Sequence, residues 1–225
     1  MSDPAPARPR LYIGNRNYSS WSLRPWLLLR QFGVDFDSEL LVLDTPEFGS
    51  EVARVSPSLR VPVLIDGTQS VWDSLAIALY AGERWPQVRL WPEAKSARAQ
   101  AMAVTAEMHS GFAALRGSCP MNIRRRLRGF IMPSAAAADA RRILTIWSEA
   151  RERFGGQGDF LYGTFGLADA FFAPVVSRCL SYAVKLDPVC QAYADAVMAL
   201  PAMVEWCAAA AAEPWVIEAT EAVGR

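Results

Sequence analysis

The sequence predicts an α/β domain followed by an all-α domain. The first 85 residues alternate short β-prone runs with apolar helical stretches. Residues 86–95 (PQVRLWPEAK) contain two prolines and no periodicity, as a linker would. From residue 96 onward the pattern is helical, with no convincing strand.

The elements of the first domain follow in order. Residues 10–14 (RLYIG) form a β-prone run ending on glycine, and residues 23–32 an apolar helix closed by Gly33. A second strand lies within residues 35–43. Residues 46–55 predict a short helix, with Pro46 at its first position and Thr45 as N-cap. Residues 61–65 and 69–72 are strands joined by an Asp66-Gly67 hairpin signal, and Asp73 caps a helix running to about Trp85. The order β-α-β-α-β-β-α implies a parallel first pair and an antiparallel final hairpin, which is the thioredoxin-like order. Beyond the linker, residues 96–116, 134–154, 167–184 and 188–212 predict helices, the last broken by Pro201. The expected organisation is a flexible tail over 1–9, an α/β domain over 10–85, a linker over 86–95 and a helical bundle over 96–225.

Composition narrows the function. Hydrophobic residues make up 52% and charged residues 20%, a globular balance. Lys plus Arg equals Asp plus Glu at 23 each, so there is no basic surplus for a nucleic-acid partner. No apolar run reaches the roughly 18 residues of a membrane span; the Ala-rich stretch 200–217 is interrupted by Glu205 and Glu213. The start, MSDPAPARPR, lacks the apolar core of a signal peptide, so a cytoplasmic location is expected. Cys119, Cys179, Cys190 and Cys207 form no C-x-x-C pair, and His109 is the single histidine, so neither a metal site nor a disulfide framework is expected. No cysteine lies in the first domain, so that half does no thiol chemistry of its own.

Four motifs in order carry a resemblance. NRNYSSWSLRPW follows the first strand, RVPVLIDG spans the third, WDSLAIALY opens the third helix, and FGLADAFFAPVVSR lies in the helical half. Together they resemble the cytosolic glutathione S-transferase family from about residue 10 to residue 212. The first loop is most similar to the zeta-type and related bacterial transferases, whose pattern LYSYxRSSCSWRVRIAL matches Leu11, Tyr12, Trp21 and Arg24. In that ungapped match the family's two leading serines fall on Asn17 and Tyr18, while this chain's serines, Ser19 and Ser20, stand two positions later.

The resemblance implies a glutathione transferase fold, a thioredoxin-like domain followed by an all-α bundle. It also implies an enzyme that ionises the glutathione thiol and conjugates it to, or uses it to isomerise, an electrophilic small molecule. A maleylacetoacetate isomerase-like or glutathione peroxidase-like activity is included. The alternative is a non-catalytic glutathione- or ligand-binding scaffold on the same fold. Glutathione would be a co-substrate, with no metal, and the chain a homodimer.

Thiol activation needs a hydrogen-bond donor near a helix N-terminus. Proline is tolerated in the first helical turn, so Pro25 places the first N-cap at about Ser22 and leaves Ser19 and Ser20 in the loop before it. The candidates are Ser19, then Ser20, then Asn17; a capping cluster is the plain alternative for SSWS. Arg60, Val61 and Pro62 would border glutathione, with Val61-Pro62 opening an edge strand and the family making that bond cis. Ser74 would bind the γ-glutamyl carboxylate and Asp73 the ammonium, a role compatible with capping. Met108, His109 and Phe112, on an expected helix, would line the second-substrate pocket, although the helical spacing of Met108 and Phe112 equally describes core packing. Arg124, Arg125, Arg126 and Arg128 form a charge patch whose plain interpretation is a solvated face. Asp169 would receive backbone N–H groups at a buried helix start, with Gly166 where the family has Ser or Thr.

Overall fold

Alternate residues of the first strand, β1 (Arg10–Ile13), face the interior, with Leu11 and Ile13 fully buried. The computed structural model describes residues 8–156 and 158–224, so most of the expected 1–9 tail lies outside the described residues. β1 pairs in parallel with β2 (Asp37–Leu40) and antiparallel with β3 (Val63–Asp66), which pairs antiparallel with β4 (Gln69–Trp72). The sheet order is β2-β1-β3-β4. Gly67 supplies the positive φ (+58°) that the tight β3–β4 turn requires.

The strand that Val61-Pro62 opens is therefore interior, not at the edge. Pro62 stands one residue ahead of β3, where its missing N–H costs the ladder nothing. The Val61-Pro62 peptide bond is cis.

Helix α1 (Ser20–Gln31) is buried along almost its whole length and packs against α3 (Ser74–Arg84) on the sheet side. Its N-cap is Ser19, whose hydroxyl accepts from the Ser22 N–H at 3.4 Å. The cap thus lies three residues ahead of the place inferred from Pro25, and Ser20 is helical. Pro25 sits in the second turn, and the apolar packing of the helix outweighs the backbone bond it cannot make. The short α2 (Phe48–Ala53) has Glu47 at its N-cap with no side-chain bond. The expected cap, Thr45, instead donates its hydroxyl to the Val42 carbonyl, a local bond that competes with capping.

The helical half comprises α4 (Lys95–Ser110), α5 (Ala113–Ser118), α6 (Ser134–Phe154), α7 (Leu167–Ser181), α8 (Pro188–Ala199), α9 (Pro201–Ala212) and a last turn, α10 (Glu218–Glu221). The helix expected over 96–116 is two. It breaks at Gly111, where a Cβ would lie 2.7 Å from the Glu107 carbonyl, and at Phe112, which is left-handed at φ +57°. Pro201 separates α8 from α9, occupying the first position of α9 where its absent N–H is harmless. Among the described residues no single helix is long and apolar enough to cross a bilayer.

α7 is the central helix of this half, buried over almost its full length against α1, α4 and α8. Buried residues of the sheet and the bundle form one continuous apolar cluster, from Leu11 to Ala210. Asp169 anchors the start of α7: its carboxylate accepts from the Leu161 N–H at 3.1 Å and the Gly166 N–H at 2.9 Å.

Burial pushes the Asp169 carboxyl up to about 6, against the pull of those two donors. The folded chain holds this proton more tightly than the unfolded chain. Its contribution to stability is therefore full below about pH 4 and is lost as pH rises through about 6. Asp169→Ala is expected to cost about 2–5 kcal/mol in urea unfolding, because two buried N–H groups lose their acceptor. The cost of Asp169→Asn, measured the same way, is expected to be larger at about pH 4.5 than at about pH 7.

Candidate functional site

Two adjoining clefts of about 280 and 310 Å³ share Trp21, Arg60 and Val61 and form one groove along the sheet half. Ser58, Pro62, Trp72, Asp73 and Ser74 line one end; Tyr18, Ser19, Ser20, Leu43, Phe48 and Leu59 line the other. The fold thus brings the expected glutathione residues Arg60, Val61, Pro62, Asp73 and Ser74 into the same groove as Ser19 and Ser20.

Asp73 and Ser74 are set by the turn from β4 into α3. Asp73 is strained at φ +74° and caps α3, its Oδ1 accepting from the N–H groups of Leu75 at 2.8 Å and Ala76 at 3.3 Å. Its other carboxylate oxygen lies 3.5 Å from His109 Nε2, so the carboxylate links the sheet half to α4. The Ser74 hydroxyl is buried at the start of α3 without a protein partner.

The two serines differ in the state of their hydroxyls. Ser19 donates to Ser22 Oγ at 2.7 Å, and Ser22 Oγ also accepts from the Gly14 N–H at 3.0 Å. Ser20 Oγ accepts from Arg178 Nη2 at 3.3 Å, which leaves its own proton free. Asn17 stands apart. Fully buried, it donates to Asn122 Oδ1 at 3.0 Å and accepts from the Arg124 N–H at 2.9 Å, so its amide faces the bundle and not the groove.

Of the three residues expected in a second pocket, Met108 and Phe112 belong to the core. His109 lies between the halves, its ring 5.4 Å from that of Trp21 and 6.0 Å from that of Phe171. Burial lowers its pKa, opposed by Asp73 and reinforced by Arg24 and Arg116. Its Nδ1 is buried without a protein partner.

Sequence reasoning missed the cations behind Trp21. Arg24 is fully buried, its guanidinium 4.2 Å from the Trp21 ring centroid and 4.9 Å from that of Phe171, and none of its nitrogens has a protein hydrogen-bond partner. Burial, with Arg178 and Arg116 nearby, pulls its pKa down to about 9. Arg116 stacks 5.3 Å from the Trp21 centroid. The available signal was one charge set in the apolar run LRPWLLL. Burial holds the thiols of Cys119, Cys179 and Cys190 at about 11 to 12, so none is a thiolate near neutrality. Among the described residues no group of three His, Cys, Asp or Glu side chains could hold a metal ion.

Fold and site together define a two-part protein: a thioredoxin-like domain bearing a polar groove, packed against a helical bundle. Residues 18–84 match the family described as glutathione S-transferase, N-terminal domain. Over 104 residues the chain is 33% identical to a protein named probable maleylacetoacetate isomerase from Caenorhabditis elegans, covering 46% of this chain and 48% of that one. It is 31% identical over 88 residues to a zeta class glutathione S-transferase from Euphorbia esula, covering 39% of each. The chain thus spans less than half the length of these curated relatives. A glutathione transferase homolog from Burkholderia with bound glutathione shares the fold at TM-score 0.69 and 22% identity, over 92% of this chain and all of that one (100%). The fold is that of the glutathione S-transferases.

Arg24 predicts its own test. Replacing a buried, unpaired cation by an apolar side chain of similar volume removes a desolvation cost. Arg24→Met is therefore expected to raise unfolding stability at neutral pH by about 1 kcal/mol or more, read from the urea midpoint at unchanged m-value.

Proposed function

We propose that the chain is a glutathione transferase that ionises the glutathione thiol at the start of α1 and passes it to an electrophile held between the two halves. One observation carries this: a single groove joins the buried, unpartnered Ser74 hydroxyl and the Asp73 carboxylate at one end to two serine hydroxyls at a helix N-terminus at the other. An extended tripeptide with a carboxylate and ammonium at one end and a thiol further along suits that layout. The match of residues 18–84 and the glutathione bound by the Burkholderia homolog support the same ligand.

Ser20 is the better donor. Its oxygen accepts from a guanidinium, which polarises the hydroxyl and strengthens the bond it gives. The Ser19 proton is already directed to Ser22. This order reverses the one expected from Pro25, and the engaged amide of Asn17 is left out. The thiol would first give its proton to solvent; the thiolate would then bond to carbon as the electrophile's leaving group departs with its electron pair, or as a C=C π pair shifts away and takes a proton from solvent.

The second substrate is proposed to be an electrophile that carries an anionic group. Arg24 and His109 place buried, unpartnered nitrogens beside Trp21, with Arg116 on the same ring. The arginines of this cluster would draw a carboxylate toward the Trp21 side of the groove and favour the conjugation or isomerisation of an organic acid. The relative named probable maleylacetoacetate isomerase agrees with this choice. A homodimer is also proposed, since Trp72, Leu79 and Met102 leave large apolar side chains exposed on β4, α3 and α4. A cytoplasmic location accompanies the function.

Retention on immobilised glutathione, then a conjugation assay with a generic electrophile, tests the enzyme against a scaffold that only binds. Ser74→Ala is expected to weaken glutathione by about 1 kcal/mol, roughly fivefold. Ser20→Ala is expected to move the rate–pH profile upward, by one unit for each ~1.4 kcal/mol of lost thiolate stabilisation, while affinity for glutathione stays nearly unchanged. Retention without turnover would establish the scaffold; no retention would overturn both.

A further inference from the structure

The loop leading into α1 owes its shape to the far end of the chain. The Arg16 N–H donates to Glu213 Oε1 at 2.8 Å and the Asn17 N–H to Glu213 Oε2 at 3.2 Å. The Arg16 carbonyl accepts from Trp206 Nε1 at 3.0 Å, and the Asn17 carbonyl from the Ile123 N–H at 3.2 Å. Every backbone polar group of these two residues is therefore bonded to the helical half. The turn that follows is short: the Asn15 carbonyl accepts from the N–H groups of Tyr18 at 3.0 Å and Ser19 at 2.7 Å. A displacement of Arg16 or Asn17 passes directly to Ser19 and Ser20.

Glu213 is suited to this task and to no contact with substrate. It is 7% exposed, borders neither cleft of the groove, and lies just after α9. Its carboxylate offers one oxygen to each of two successive N–H groups, which an amide cannot do with its single oxygen. The segment that carries it is fastened in turn. Arg124 donates to the carbonyls of Glu213 and Trp215 and to the Tyr18 hydroxyl, and Tyr18 donates to Glu221 at 2.9 Å. The charge patch that sequence alone assigns to a solvated face is, at Arg124 and Arg125, the fastening of this tail.

We infer that Glu213 is a positioning residue: its carboxylate reaches from the segment after α9 to fix the Arg16–Asn17 turn, and through it the hydroxyls that activate the thiol. The inference rests on the glutathione-activating function proposed above. Loss of the carboxylate loosens the donor at the sulfur but leaves the peptide anchors at Asp73 and Ser74 in place. The effect therefore falls on kcat and not on glutathione affinity.

Two readouts on the full chain test it. In Glu213→Ala, kcat for conjugation is expected to fall about tenfold to a hundredfold, with KM for glutathione changed less than about twofold. The pKa of the bound thiol, read from thiolate absorbance, is expected to rise. Glu213→Gln, which keeps the shape and one acceptor, is expected to fall between Ala and the parent. Glu205→Gln, which loses only a surface pair with Arg30, should match the parent. The second readout needs no glutathione: amide hydrogen exchange at Arg16 and Asn17 should quicken in both Glu213 variants while exchange in α7 does not. Unchanged kcat and thiol pKa in Glu213→Ala would overturn the inference, as would unchanged exchange at the two amides. If the parent itself neither binds nor ionises glutathione, the proposed function fails and the thiol role falls with it; quickened exchange would then establish only the clamp.

Discussion

Burying α1 on nearly every side, with α3 against it from the sheet half and α7 and α9 from the bundle, obliges the two halves to fit one shared rod. From Ser20 to Leu29 only Trp21 reaches partial exposure. A helix so enclosed has one place left for polar function, its N-terminus, and the serines stand there. The same enclosure explains why Pro25 is tolerated and why the buried Arg24 is held between aromatic faces. It also sets the dielectric of the site. A hydrogen bond given from the end of so enclosed a helix is stronger than the same bond in water.

α7 is the second member of this arrangement and the one that ties structure to chemistry. Asp169 secures its first turn by taking the N–H groups of Leu161 and Gly166, and Arg178, near its other end, reaches Ser20. Arg178 also donates to the carbonyls of Cys119 at 2.8 Å and Pro174 at 3.2 Å, so its guanidinium is aimed, unlike that of Arg24. Two buried arginines on neighbouring helices thus do opposite things. One is fixed and polarises a hydroxyl; the other keeps all its donors unspent.

Much of the fold was legible because local signals and global packing agree. Gly33 ends a helix, Asp66-Gly67 turns a hairpin, Asp73 caps α3 and Pro201 divides α8 from α9, each for a reason that a few neighbouring residues contain. Thr45, the break at Gly111–Phe112 and the interior place of β3 were illegible, because each depends on what packs or pairs from elsewhere in the chain. The site divides in the same way. Asp73, Ser74 and the Val61-Pro62 turn are local features and could be placed from sequence. The different hydrogen bonding of Ser19 and Ser20 could not, since it turns on Arg178, which lies 158 residues from Ser20. The direction of the Asn17 amide was illegible too, because an amide in a loop gives no sign of whether it faces a groove or a neighbouring segment.

The stitching of Arg16 and Asn17 to Glu213 spans 197 and 196 residues of chain. A ribosome makes the loop well before it makes the fastener. At about 5–20 residues per second, the nascent sheet half waits roughly ten to forty seconds for the carboxylate that completes it. The β-strands and α3 can assemble in that interval, because their pairings are local to the first 84 residues. The turn before α1 cannot, and its amides stay with water until Glu213 emerges. The turn beside the groove therefore takes its full set of bonds only after residue 213 has been made.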